Sequence, residues 1–172
     1  MCSFLSTGMV FVNPDSKIGS VVAISISKRK GIPKSNVESI RLVENFGLEG
    51  DIHGGDWHRQ VSLLAIERIE EMRAKGLPSL RPGAFAENIT TQHLELPSLQ
   101  IGTRIHIGSD AELEVTQIGK ECHSKCAIYT TVGDCVMPRE GIFARVVRGG
   151  EIRMNDTIII RPAVGAVENP TL

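Results

Sequence analysis

The chain has 172 residues, 41% hydrophobic and 23% charged, with a formal net charge of −1, which suits one globular domain able to bury a core. So little net charge offers no global field for nucleic acid or an anionic membrane, and one Trp, one Tyr and five Phe are too few for base-stacking platforms. Four cysteines exclude a disulfide-dense secreted scaffold, no stretch reaches the roughly 20 apolar residues of a membrane span, and no Lys or Arg precedes Lys17 as a signal peptide requires, so a reducing cytoplasm is expected.

Residues 1–17 show no clean period and read as a loose arm. Gly19–Lys28 alternates and is rich in β-branched residues, the pattern of a strand. It leaves through Lys28-Arg29-Lys30-Gly31, either a solvated turn or an anion-facing loop. Ile40–Glu44 reads as another short strand. From Gly47 to Arg59, four glycines and two histidines in thirteen residues suit a loop that approaches a ligand, with glycine allowing close backbone contact and His and Arg supplying donors.

Gln60–Leu64 continues as a buried strand, and Ala65–Lys75 is the main helix: Ile66, Ile69 and Met72 recur every three residues, and Gly76 and Pro78 stop it. Arg81–Thr90 reads as a turn feeding a strand, and Leu94–Leu99 as a loop. Gly102–Gly108 and Ala111–Ile118 form a hairpin across Gly108-Ser109-Asp110, with Glu112 and Glu114 on one side and Leu113 and Val115 on the other. His106, between Ile105 and Ile107, reads as a surface or core histidine. The apolar run Ile142–Val147 ends on Gly149-Gly150, Glu151–Asp156 is a turn, and Thr157–Arg161 a last strand before an uncommitted tail. Seven or eight strands and one main helix imply a mostly β, antiparallel barrel or sandwich over residues 18–162, with 163–172 as the tail.

Chemistry is expected in residues 112–150, where Cys122, Cys126 and Cys135 cluster with His123 among nearby cations. Lys120, His123 and Lys125 flank two of these sulfurs and favour a thiolate, which can attack, carry a persulfide or ligate a metal. The set Cys122, His123, Cys126 and Cys135 also admits tetrahedral zinc, although the paired CxxC hairpins of a zinc knuckle are missing. An inert set of small buried hydrophobes is the third reading. His53, Arg59, Asn88, Lys120 and Arg145 each flank a glycine-rich turn at a strand end, where together they could bind a phosphate-bearing small molecule. No P-loop, dinucleotide fingerprint, G-x-S-x-G elbow or HExxH occurs.

The blocks GLEGDIHGG-DWHRQVSLL, RPGAFAENIT, IGTRIHIG, LEVTQIGKECHSKC and GIFARVVRGGEI-MNDTI, in this order over residues 18–162, resemble the MOSC domain family, found at the C-terminus of molybdenum cofactor sulfurases and as small stand-alone bacterial proteins. The resemblance implies a barrel-like β fold with short peripheral helices or turns. It also implies a role in binding the molybdenum cofactor (molybdopterin), a pyranopterin with a terminal phosphate, or in carrying sulfur to its metal. Cys126 matches the cysteine implied to carry the sulfur or ligate molybdenum, and Cys122 is its rival. Asp51, His53, Gly54 and Gly55 match the Gly-Asp-x-His-Gly-Gly loop, and Glu87, Asn88 and Thr90 the Glu-Asn-(Ile/Leu)-Thr block. His123 joins the cofactor-binding set, and Cys122, Cys126 and Cys135 the metal set. No pyridoxal phosphate site or aminotransferase-like domain is evident, so sulfur is expected from a partner, a sulfur donor or cofactor-biosynthesis protein. The alternative is a non-catalytic binding module or adaptor with a structural Cys/His metal site.

Overall fold

Alternating burial along Ala111–Ile118, with Ala111, Leu113 and Val115 inward and Glu112, Glu114 and Thr116 outward, marks a strand with one face on a core. In a computed structural model describing residues 17–121, 129–130 and 133–161, this is the eighth of eleven strands. They are β1 (Ile18–Ile26), β2 (Ser35–Val37), β3 (Ser39–Val43), β4 (Gly47–Leu48), β5 (Val61–Ala65), β6 (Ile89–Gln92), β7 (Arg104–Ile107), β8 (Ala111–Ile118), β9 (Ile142–Arg148), β10 (Gly150–Arg153) and β11 (Thr157–Arg161). Helix α1 spans Ile66–Ala74, and a helical turn, α2, spans Met137–Glu140.

Seven strands in the order β11-β7-β8-β9-β5-β6-β1 close on themselves, because the start of β1 pairs with β11 (Ile18 with Ile159, Ser20 with Thr157). Closure leaves no free edge among these seven. The far end of β1 continues onto β2, and β3 lies between β10 and β4 in a small separate sheet. The expected hairpin is present as β7–β8, with Ile107 opposite Ala111.

One neighbouring pair departs from the expected antiparallel pattern: β5 and β6 run parallel, Leu63 opposite Ile89. Parallel neighbours need a crossover to return the chain to the starting end, and residues 66–88, led by α1, supply it. The barrel is therefore mixed. Crossover packing also explains why all five residues of β5 are buried. Leu63 faces the barrel interior with Val21, Ile105, Leu113 and Ile142, while Leu64 faces a second cluster with Ile69, Met72, Phe85, Met137 and Phe143. A strand covered on both faces reads as a continuous apolar run. Truncating Ile69 to Ala beneath α1 would cost about 2–5 kcal/mol.

The elements that the sequence did not announce are the polar ones. Ser35–Val37 carries no strand pattern and Gly150–Arg153 falls on the end of the expected apolar run and the expected turn Glu151–Asp156, because each offers a single apolar side chain. Gly150–Arg153 pairs with β3 alone, at the edge of the small sheet, and buries only Ile152. Among the described residues, no helix is long and apolar enough to cross a membrane.

Candidate functional site

The glycine-rich loop after β4 is pinned by a buried carboxylate. Asp51 accepts the Ser27 N–H at 2.9 Å and the His53 N–H at 3.1 Å, and both its oxygens lie 2.8 Å from Lys34 Nζ. The side chains of Lys34 and Asp51 are each 1% exposed. Burial alone would push the Asp51 carboxyl up, but the Lys34 hydrogen bond and charge and the Ser27 and His53 backbone N–H groups hold it below the usual carboxylate range. Burial lowers the Lys34 ammonium from its ordinary value, against the hydrogen bond and charge of Asp51. Lys34 Nζ also meets His53 Nδ1 at 3.1 Å. The Trp57 indole N–H donates to the His53 carbonyl at 2.8 Å, fixing the loop's far side.

The Glu-Asn-Ile-Thr block performs a parallel task before β6. Glu87, fully buried, accepts the Gly83 N–H at 2.6 Å, the Phe85 N–H at 3.1 Å and the Thr90 hydroxyl at 3.1 Å. Burial pushes its carboxyl up against these bonds. Asn88 donates to the Ser25 carbonyl and accepts the Ser62 N–H and hydroxyl, at 3.0–3.1 Å, tying β1 to β5. Lys34 is joined to this block because its own N–H donates to the Gly83 carbonyl.

Four of the six expected cofactor-binding residues, His53, Arg59, Asn88 and Lys120, line a single cavity of about 200 Å³ that has no Asp or Glu among its described lining residues. Arg59 lies between two rings, its guanidinium carbon 4.9 Å from the centre of Trp57 and 5.7 Å from that of Phe143. Its Nε is buried without a hydrogen-bond partner among the described residues. Lys120 follows Gly119, whose φ of +63° turns the chain at the end of β8, and the Lys120 N–H donates to the Pro138 carbonyl at 3.3 Å. Neither Arg59 nor Lys120 forms an ion pair among the described residues. Phe85 and Met137 complete the apolar walls.

Arg145 stands elsewhere. It lies opposite Glu114 in the β8–β9 register, and its Nε and Nη2 each reach Glu114 Oε1 at 3.0 Å on an exposed face. Alternation along β9 turns Ala144 inward and Arg145 outward. Cys135 is 7% exposed within the apolar cluster that also holds Val136, Met137 and Phe143. Cys122, His123 and Cys126 lie outside the described residues, as do residues 1–16 and 162–172. Among the described residues no three His, Cys, Asp or Glu side chains gather as a metal site requires.

Sequence reasoning missed Lys34, a lysine between Pro33 and Ser35 with no apolar pattern around it. It also treated Ser62 and Phe143 only as strand members. Alternation could have placed Phe143 on the face opposite Ile142 and Ala144, outside the barrel where the cavity lies.

Residues 49–159 match the MOSC domain family. A search of curated protein sequences found no match. Among solved structures, the chain is similar to the YuaD protein of Bacillus subtilis, with TM-score 0.72 and 20% identity over 84% of this chain and 96% of that one. It is also similar to YiiM of Geobacillus stearothermophilus, with TM-score 0.64 and 19% identity over 87% of this chain and 78% of that one. YiiM of Escherichia coli gives TM-score 0.60 and 16% identity over 88% and 72%. At these identities the structures speak for the fold. The family match covers well over half of the chain, and the chain belongs to the MOSC domain family.

Proposed function

We propose that the cavity binds the phosphate-bearing end of the molybdenum cofactor and that Cys126 presents a thiolate or persulfide to the metal. The observation that carries this reading is Arg59, a cation against Trp57 and Phe143 whose buried Nε has no partner, and whose cavity has no carboxylate, among the described residues. A buried donor left unpaired costs about 1–3 kcal/mol, and an entering anion removes that cost. The planar guanidinium suits a phosphate through two parallel hydrogen bonds. Lys120 and His53 add donors, and the rings of Trp57, Phe85 and Phe143 offer apolar surface to a flat ligand.

The donor set fits such a group. The cavity's size, about 200 Å³, is below the roughly 300–1,000 Å³ of a site enclosing a drug-sized ligand, so it takes the anionic end while the pterin lies beyond. Lys120 stands two residues before Cys122 and six before Cys126, so the chain leaving the cavity wall leads directly to the thiols. Thiolate sulfur is a soft ligand suited to a molybdenum–sulfur centre. When bound, the cofactor supplies the redox-active metal, and this chain supplies the anion contacts and a sulfur. Cys122 is the alternative sulfur, and a sulfur-donor or cofactor-biosynthesis protein is the partner such chemistry needs.

The test is elemental and pterin analysis of protein purified without oxygen from a cofactor-producing host. Molybdenum or tungsten with pterin, at about one per chain and lost in Cys126→Ser, is the expected result. Stoichiometric zinc without pterin overturns it in favour of a binding module with a structural Cys/His site.

A further inference from the structure

Lys34 sits almost completely buried beneath the cavity loop, and stability does not explain it. Replacing a buried ion pair by well-packed apolar side chains is often neutral or stabilising, so a hydrocarbon pair could fill the place of Lys34 and Asp51. An ammonium, however, has three hydrogens to donate. Two face Asp51 Oδ1 and Oδ2, each at 2.8 Å, and the third faces His53 Nδ1 at 3.1 Å. The carboxylate is itself fixed by the Ser27 and His53 N–H groups, and the Lys34 backbone by the Gly83 carbonyl, so the ammonium has little freedom to turn away.

This arrangement decides the imidazole's tautomer. His53 Nδ1 also lies 3.3 Å from Asp51 Oδ2, so a proton on Nδ1 could be shared with the carboxylate. That proton would face the closer ammonium, donor against donor. With Nδ1 accepting from Lys34, the ring's own proton stands on Nε2, on the opposite side of a side chain that lines the cavity.

We infer that Lys34 is a positioning residue: it makes His53 Nδ1 an acceptor and so sets Nε2–H as the donor that His53 offers to an anionic ligand group in the cavity. The choice of ligand class rests on the function proposed above; the tautomer does not. An apolar residue at position 34 could fill the space but could not orient that proton.

Long-range 1H–15N spectra of the full-length chain, with His53 identified by the resonances missing in His53→Gln, test the inference. The expected wild-type pattern is an unprotonated Nδ1 and a protonated Nε2. In the double variant Lys34→Met with Asp51→Leu, His53 should give the averaged shifts of an unconstrained imidazole, with Nδ1 and Nε2 both moving towards the mean of the two tautomers. A protonated Nδ1 in the wild type overturns the inference, whether or not the double variant folds. So does an unchanged Nε2–H pattern in a folded double variant. If wild-type His53 shows the expected pattern but phosphate does not perturb it, the ligand reading fails and the role of Lys34 in setting the tautomer stands.

Discussion

Arg59 rests on Trp57, two residues before it in the chain, with its guanidinium carbon 4.9 Å from the indole centre. The contact fixes the plane of the cation without using its hydrogen bonds, which leaves the donors for a ligand. Arg59→Gln should weaken phosphate binding measured by calorimetry by about 1.5–3 kcal/mol, with little change in thermal stability. Arg59→Lys should bind almost as poorly, since a point charge has neither the fork nor the flat face. Wild-type affinity in the lysine variant would reject the stacked geometry as the source of binding.

The buried pair beneath the loop gives stability a pH signature. The Asp51 carboxyl is held below its ordinary value, so its contribution is fully present above the unfolded aspartate value of about 3.9 and is lost as pH falls through the lower folded value. Breaking the pair with Asp51→Asn should cost about 3–5 kcal/mol at neutral pH. The gap between variant and wild type should narrow below about pH 4, read from urea midpoints at a series of pH values. A gap constant down to pH 2 would show that Asp51 is not the group that titrates.

Glu87 has the opposite sign. Its folded carboxyl is pushed up, so stability declines as pH rises from about 4.3 towards the folded value. Glu87→Gln removes that slope but leaves one amide nitrogen facing a backbone N–H, of Gly83 or Phe85, where an oxygen had accepted it. The expected cost at pH 5 is about 1–3 kcal/mol, visible as a lower Tm.

Gly119 connects stability to binding. A side chain there would occupy a left-handed backbone, φ +63°, and its Cβ would strike the Pro138 carbonyl oxygen. Gly119→Ala should cost about 1–2 kcal/mol for the backbone alone and also weaken phosphate binding, because Lys120 is next in the chain. Lowered stability with unchanged phosphate affinity would remove Lys120 from the ligand contacts.

Cys135 should behave as packing. In the native chain its thiol should react with a disulfide reagent far more slowly than in urea, given its 7% exposure. Cys135→Ala should cost about 1 kcal/mol while cofactor or persulfide loading is retained. Loss of loading in a folded Cys135→Ala protein would return this residue to the working set.

Much of the barrel was legible because its strands announce themselves by what they bury. β8 alternates, β5 is continuously apolar, and α1 repeats Ile66, Ile69 and Met72, so their patterns follow directly from the faces they cover. β2 and β10 were not legible, since short polar strands owe their form to a neighbour's hydrogen bonds rather than to their own side chains. In the site, His53 and Arg59 stood out as donors among glycines, and Lys120 as a cation beside the thiols. Asn88, also expected there, lines the cavity, yet its side chain is occupied in joining β1 to β5. That Arg145 faces Glu114 and not the described cavity lining is visible only once the β8–β9 register is known. Lys34 could not be found at all: nothing local distinguishes a lysine destined for burial from one in water.

The closing seam between β1 and β11 gives the barrel one further property. The path enters the closed sheet at Ile18 and leaves it on the strand hydrogen-bonded alongside, at Arg161, and neither strand contributes a residue to the cavity wall. Entry and exit on adjacent strands make the barrel a cassette. It can be spliced through those two points into a surface loop of a host protein without cutting any segment that lines the cavity.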